Sequence, residues 1–275
     1  MKRPIIEVIN SYFPSLTNSE KKVANYVLNN LQNVMYYSLN DLAEEAGVGE
    51  TTVLRFCKKI GLEGYQELKL NIAQTLADNN SESLSKSSNL LQMVLNDTIS
   101  TLQKTEAMNS EKDIEKAIDL LNDARMIHFF GVGTSGITAL DAKSRLLRIG
   151  RHSEVITDSH LQAMSAATLT EEDVVIGLSI SGSTRDTIEA LEIAKENGAK
   201  IIAMTYFSRS PITQLADVVL IAGAKESPLE GSSLTGKISQ LYVIDLLCTG
   251  LALKEKEKSQ MMKNKTAQAV VNKIY

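Results

Sequence analysis

The chain has 275 residues, 43% of them hydrophobic and 23% charged, with a formal net charge of −4 at pH 7. That length can bury a sizeable core and implies more than one domain, while the slightly acidic balance excludes a chain coated in nucleic-acid-binding charge and leaves room only for a local basic patch. No stretch reaches the ~20 apolar residues of a membrane span, and the start MKRPIIEVINSYF lacks a signal-peptide apolar region and cleavage site, so a cytoplasmic location without a membrane partner is expected.

In chain order, residues 5 to 77 carry helical periodicity without β-branched strand runs, which predicts an all-α domain over 1–77. Within it, Leu39 to Phe56 has the spacing of a helix-turn-helix core. Ala43 is small enough for two helices to cross, Gly47 can take the left-handed turn conformation, and Val53 and Phe56 lock the second helix onto the first. Asp41 suits the dipole at the start of the leading helix. The second helix would start near Gly49 and expose Glu50, Thr51, Thr52, Arg55, Lys58 and Lys59, its first residues toward base edges in a major groove and its basic ones toward phosphates. Residues 1–77 hold eight basic and eight acidic residues, so only the cluster around Arg55 favours DNA. Cys57 and Cys248 show no metal-ligand spacing and read as small buried hydrophobes, with no metal and no cofactor expected.

The Asn/Ser-rich run ADNNSESLSKSSN then leads into Leu90, Leu91, Val94, Leu95, Ile99 and Leu102 at helical spacing, which predicts a helical linker over 78–110 that could couple two domains. From 111 to 275 the pattern alternates. Helix (Ile114 to Leu121), strand (Met126 to Phe130), helix (Ile137 to Ile149), strand (Glu154 to Thr157) and helix (Ser159 to Thr168) come first. Strand (Val174 to Leu178), helix (Thr187 to Asn197), strands at Ile201 to Thr205 and Val218 to Ala222, and a last helix from Ser233 to Lys258 follow. Such alternation implies a doubly wound α/β domain with a parallel sheet, whose ligands sit beyond the carboxyl ends of the strands where connections diverge.

The stretch SISGSTRD, Ser179 to Asp186, falls between an apolar strand and a helix. Strand, glycine turn and helix start aim backbone N–H groups at one point where an anion is favoured. Ser179, Ser181, Ser183 and Thr184 add hydroxyls there, and Gly182 permits close backbone approach. A helix cap needs one hydroxyl, and four within six residues point to a phosphate cradle.

The runs LTNSEKKVANYVLNN (Leu16 to Asn30) and SLNDLAEEAGVGETTVLRFCKKIGLEGYQELK (Ser38 to Lys69) resemble the N-terminal domain of MurR/RpiR-type bacterial transcriptional regulators. Residues 125 to 260 resemble their sugar isomerase (SIS) domain through GVGTS (Gly131 to Ser135), SISGST and KISQLYVIDLL (Lys237 to Leu247). The resemblance implies double-stranded operator DNA as a partner, with Ser38 joining the DNA-facing set, and a sugar-phosphate effector. The effector would be held by Gly133, Thr134 and Ser135 with Ser179, Ser181, Gly182, Ser183 and Thr184. Glu230, in the Ser227 to Gly236 segment, is a candidate for reading a sugar hydroxyl or amino group. A repressor of sugar or amino-sugar catabolism genes is expected, acting as a dimer or dimer of dimers on half-sites about 34 Å apart or a multiple of it. Two departures stand out: Gly49 begins the recognition helix where relatives often have serine, and Lys237 stands where arginine is frequent.

Two rival readings come from the same residues. Gly131, Gly133 and Gly136 satisfy GxGxxG, with Glu154 or Asp158 downstream for a ribose, but a dinucleotide leaves the second hydroxyl-rich loop unexplained. An aldose–ketose isomerase needs a tuned base, for which Asp141 and His160 are the candidates beside His128 and His152.

Overall fold

The structure, a computed structural model, describes residues 4–80, 90–223, 229 and 234–273. Six helices fill the first part: α1 (Ile5–Tyr12), α2 (Asn18–Asn29), α3 (Leu31–Val34), α4 (Leu39–Glu45), α5 (Glu50–Lys59) and α6 (Tyr65–Asn80). Thr17 and Glu20 start α2 as a reciprocal cap, each side chain accepting from the other residue's backbone N–H. The apolar positions Val23, Val27, Leu42, Val53, Phe56, Leu68 and Ile72 close into one buried core.

Helix α7 (Leu90–Met108) follows, and the described residues part into two compact units between Met93 and Val94, the second also taking 234–273. Leu90, Leu91, Met93, Val94, Leu95 and Ile99 are exposed, and Thr105 is the buried residue of α7. The second unit runs α8 (Glu111–Asp123), β1 (Met126–Phe130), α9 (Gly133–Arg148), β2 (Ser153–Ile156), α10 (Ser159–Ala166), β3 (Asp173–Leu178), α11 (Arg185–Glu196), β4 (Lys200–Thr205), β5 (Val218–Ile221), α12 (Leu234–Lys254) and α13 (Lys256–Gln268). Every strand pairing is parallel, in the order β2-β1-β3-β4-β5.

Strand periodicity explains the layering, because successive side chains leave opposite faces of the sheet. Ile127, Phe129, Val174, Ile176, Leu178, Ile202 and Met204 pack with α8, α9 and α12, while Phe130, Val175, Ile201 and Ala203 pack with α10 and α11. Burial of each large side chain stabilises by about 1.5–3 kcal/mol, and both sheet faces are covered. Asp173, at the start of β3, is fully buried; Arg125 Nη2 approaches its Oδ2 at 2.7 Å, and Thr170 donates from its backbone N–H at 2.9 Å.

Two expectations change. The single closing helix is broken at Glu255, whose backbone (φ −117°, ψ 55°) leaves the helical region while its carboxylate meets Arg151 and Lys258, each at 2.9 Å. The charge run KEKEK therefore holds a helix break. Helix α12 also has the length and mean hydropathy (1.2) of a candidate membrane span, contrary to the reading of the sequence. Its Val243, Ile244, Leu247 and Leu251 are buried in the sheet core, as a core helix of a globular unit requires.

Candidate functional site

In the first unit, Ser38 caps α4: Asp41 N–H donates to Ser38 Oγ at 3.1 Å and Ser38 N–H to Asp41 Oδ2 at 2.9 Å. The Tyr37 carbonyl just before that cap accepts from Tyr65 OH at 3.0 Å and from Lys69 Nζ at 2.9 Å, so two buried donors of α6 fix where α4 begins. Helix α4 ends at Gly47, which takes φ 63° and lets Val48 N–H reach back to the Ala43 carbonyl at 2.9 Å. This is the left-handed turn expected of that glycine, and it sends the chain into α5.

Gly49 precedes α5 with no side-chain cap. Gly49, Glu50, Thr51, Arg55 and Lys58 are exposed and Thr52 is half-buried. Thr51, Arg55 and Lys58 follow at i, i+4 and i+7 and so form one exposed stripe, with Arg55 Nε donating to the Thr51 carbonyl at 3.3 Å. Two residues of the expected DNA-facing set are engaged elsewhere. Ser38 is buried as a helix cap, and the half-buried Lys59 has its Nζ 2.9 Å from Oε2 of the buried Glu20. The Thr17 backbone N–H, with the Lys59 ammonium adding to it, holds the Glu20 carboxyl below its ordinary range against the opposing effect of burial.

In the second unit, β1 connects to β2 on one side of the sheet and β3 to β4 on the other, so the crevice between β1 and β3 is where connections diverge. Both glycine loops open onto that crevice. After β1, Gly131 packs so closely that a Cβ would stand 3.2 Å from the Leu178 carbonyl and 3.4 Å from Ser135 Cβ. After β3, Ser179 Oγ lies 2.8 Å from Thr184 Oγ1 and 3.4 Å from Ser181 Oγ, and Ser183 N–H donates to Ser181 Oγ at 3.3 Å. Gly182 takes φ 62° at the tip of this turn.

Neither helix start is capped by a side chain: Val132 precedes α9, and Thr184, which precedes α11, turns its hydroxyl to Ser179 instead. First-turn N–H groups of two helices therefore flank one crevice lined with hydroxyls, an arrangement that stabilises an anion through dipoles and neutral donors. Ser135, Ser179 and Gly182 are buried, Thr134 and Thr184 are half-buried, Gly133, Ser181 and Ser183 are exposed, and Glu230 lies outside the described residues.

Sequence reading missed the support behind these loops. Gln240 of α12, buried, donates from Nε2 to Ser135 Oγ at 3.4 Å and accepts from Thr138 Oγ1 at 3.1 Å. Ser210 sits beneath Gly182 with its hydroxyl buried. A polar residue inside the otherwise apolar run of α12 was the available signal for Gln240; Ser210 gave none, since its place depends on a loop fold.

Several residues of the rival readings are otherwise committed. Asp141 Oδ2 accepts from Arg145 Nε at 2.5 Å, and the same guanidinium reaches Asp245 at 2.9 Å. His128 is packed in β1, its Nδ1 3.3 Å from Glu154 Oε2, and burial, outweighing that carboxylate, lowers its pKa. Asp158 caps α10 through Leu161 N–H at 2.9 Å. His152 and His160 are exposed. Burial pushes both the Cys57 and the Cys248 thiol up to about 12, which leaves them unreactive at neutral pH.

A helix-turn-helix unit, followed by a doubly wound α/β unit with two glycine loops at its switch point, defines the architecture of a two-domain DNA-binding regulator. Known proteins agree. Residues 4–79 match the rpiR-family helix-turn-helix domain and residues 120–250 the SIS domain. An HTH-type transcriptional regulator of Haemophilus influenzae is 38% identical over 97% of this chain and 96% of its own length. The HTH-type transcriptional regulator HexR of Pseudomonas aeruginosa is 33% identical, over 91% and 90%. The Vibrio vulnificus NanR protein, solved in complex with ManNAc-6P, superposes with a TM-score of 0.89 at 26% identity, covering 98% of this chain and 100% of that one. The chain belongs to the RpiR family of transcriptional regulators that join a helix-turn-helix domain to a SIS domain.

Proposed function

We propose that the protein is a cytoplasmic repressor of sugar or amino-sugar catabolism genes that binds a sugar phosphate in its SIS unit. The observation that carries this reading is the crevice between β1 and β3, where two uncapped helix starts and the hydroxyls of Ser135, Ser179, Ser181, Ser183 and Thr184 converge. Phosphate oxygens are the ligand such neutral donors recognise best. NanR, solved with ManNAc-6P, supplies the sugar context. The effector loops are Gly133–Ser135 and Ser179–Thr184, and the DNA-facing residues are Gly49, Glu50, Thr51, Thr52, Arg55 and Lys58. A dimer would place two α5 helices on a palindromic operator.

An isomerase is not favoured, because Asp141, the carboxylate best placed in sequence, is held in an ion pair with Arg145. The test is a thermal-shift screen of the full chain against phosphosugars, ManNAc-6P included, followed by operator titration with each hit on DNA selected from the host genome. Hits that stabilise the chain and weaken operator binding support the reading. A panel that moves neither quantity refutes it.

A further inference from the structure

We propose that Ser239 and Gln240 of α12 form the relay by which both effector loops act on α7, the helix that leads toward the DNA-binding unit. This rests on the sensing role proposed above. Gln240 touches the first loop directly through Ser135, at 3.4 Å. The second loop reaches Ser239 through Gly223, which follows β5: a Cβ there would stand 3.1 Å from Cγ2 of Ile180, so Gly223 is packed against the Ser179–Thr184 turn. The Ile180 carbonyl is itself fixed by Tyr206 N–H at 3.1 Å and Thr205 Oγ1 at 3.2 Å.

From Gly223 a hydrogen-bonded chain runs to α7, and counting protons fixes its direction. Gly223 N–H donates to Ser239 Oγ at 2.7 Å, Ser239 Oγ lies 2.7 Å from Thr105 Oγ1, and Thr105 Oγ1 donates to the Thr101 carbonyl at 2.7 Å. Each hydroxyl has one proton. With the Thr105 proton on the Thr101 carbonyl, Ser239 must donate to Thr105, so each of the two hydroxyls accepts once and donates once. Movement of the turn around Ile180 thus displaces Gly223 and breaks a satisfied chain that has no water to replace it, since Ser239 and Thr105 are both buried.

The anchor is polar where an apolar residue would hold a helix as well. Thr105 is the buried residue of α7, and one turn further on Asn109 clasps Ile221 from both sides, accepting from its N–H at 2.9 Å and donating to its carbonyl at 2.8 Å. Asn109 acts as pivot and Thr105 as latch. From the pivot to Leu90 the helix is roughly 29 Å long, so a tilt of about 5° displaces its start by about 2.5 Å.

The test uses the full chain with ManNAc-6P and inorganic phosphate as probes and Thr105→Val, Thr105→Ser and Ser239→Ala as variants. Calorimetry reads probe affinity, fluorescence anisotropy reads operator affinity, and hydrogen exchange reads α7. Val and Ala variants should bind each probe within about twofold of wild type yet lose the ligand effect on operator affinity, which in coupled systems is about 5- to 150-fold. Thr105→Ser should retain it, and the Val/Ala double variant should be no worse than either single. Wild-type coupling in Thr105→Val, or loss of probe binding in Ser239→Ala, would overturn the relay while leaving sensing intact. Failure of wild type to bind either probe or any phosphosugar of the screen defeats the sensing role and the relay together, whereas binding that leaves α7 exchange unchanged overturns the relay alone.

Discussion

Replacing Gly182 by Ala should damage the crevice between β1 and β3 by an amount the structure lets one divide. Gly182 has φ +62°, which costs an L-residue roughly 1–2 kcal/mol. A Cβ there would also stand 2.1 Å from Ser210 Oγ, 2.5 Å from Ser210 Cβ and 2.9 Å from Thr205 Oγ1. Both neighbours are buried, so the clash costs a further ~1–3 kcal/mol of overpacking. The total, about 2–5 kcal/mol, lowers the transition of a unit this size by about 4–20 °C. Scanning calorimetry on Gly182→Ala, Ser210→Gly and the double variant separates the two parts. Removing the Ser210 side chain should recover most of the clash and leave the backbone strain, giving a favourable coupling energy in the cycle. A Gly182→Ala protein within about 0.5 kcal/mol of the parent, or a cycle without coupling, would refute the account of this turn.

Lys69 makes the helical unit's stability depend on alkaline pH. Burial, partly opposed by Asp41, lowers its pKa to about 8, so between that pH and the ordinary value near 10.4 the unfolded chain holds a proton the folded one has released. Stability therefore rises through this window, by at most about 3 kcal/mol, and urea midpoints of Lys69→Met should lose that rise; parallel profiles would exclude Lys69 as its source. Asp173 acts at the acid end: burial pushes its carboxyl up, but Arg125 and the two Thr170 donors together outweigh that and hold it below the ordinary value. Its contribution is present above about pH 4 and lost as pH falls through the folded pKa, and Asp173→Asn should flatten the α/β unit's acid unfolding curve, an unchanged curve counting against this pairing.

Elements with strong periodicity were legible in the sequence. The five strands fall within a residue of their expected positions at every end, because runs such as Val174–Leu178 are apolar throughout and bounded by polar residues. The turn at Gly47 was legible because one residue type answers one backbone requirement. What escaped depends on contacts between residues far apart in the chain. Nothing local distinguishes Lys58 from Lys59, yet one is exposed and the other is drawn to Glu20, 39 residues away. Ser38 has the sequence of both a groove contact and a cap, and the cap is seen only in the Asp41 geometry. The break at Glu255 follows from Arg151 in the same way.

The two binding reactions assigned to this chain should respond differently to salt. Among the described residues, the crevice between β1 and β3 offers hydroxyls and backbone N–H groups, and the nearby Arg185 is 2.6 Å from Glu189 on an exposed helix turn. A phosphate held by neutral dipoles displaces few counterions, so its affinity should change less than about threefold between 50 and 200 mM salt. DNA held by Arg55 and Lys58 must release a counterion for each phosphate neutralised, and each such contact costs about 3.5-fold over the same range. Arg55→Ala should therefore lower the salt slope of operator binding by about 1 per subunit and leave phosphosugar affinity alone. An unchanged slope would remove Arg55 from the DNA contacts. A steep slope for the phosphosugar would mean that a cation outside these loops, rather than their hydroxyls, supplies the binding energy, and the crevice would then have to be rebuilt around that charge.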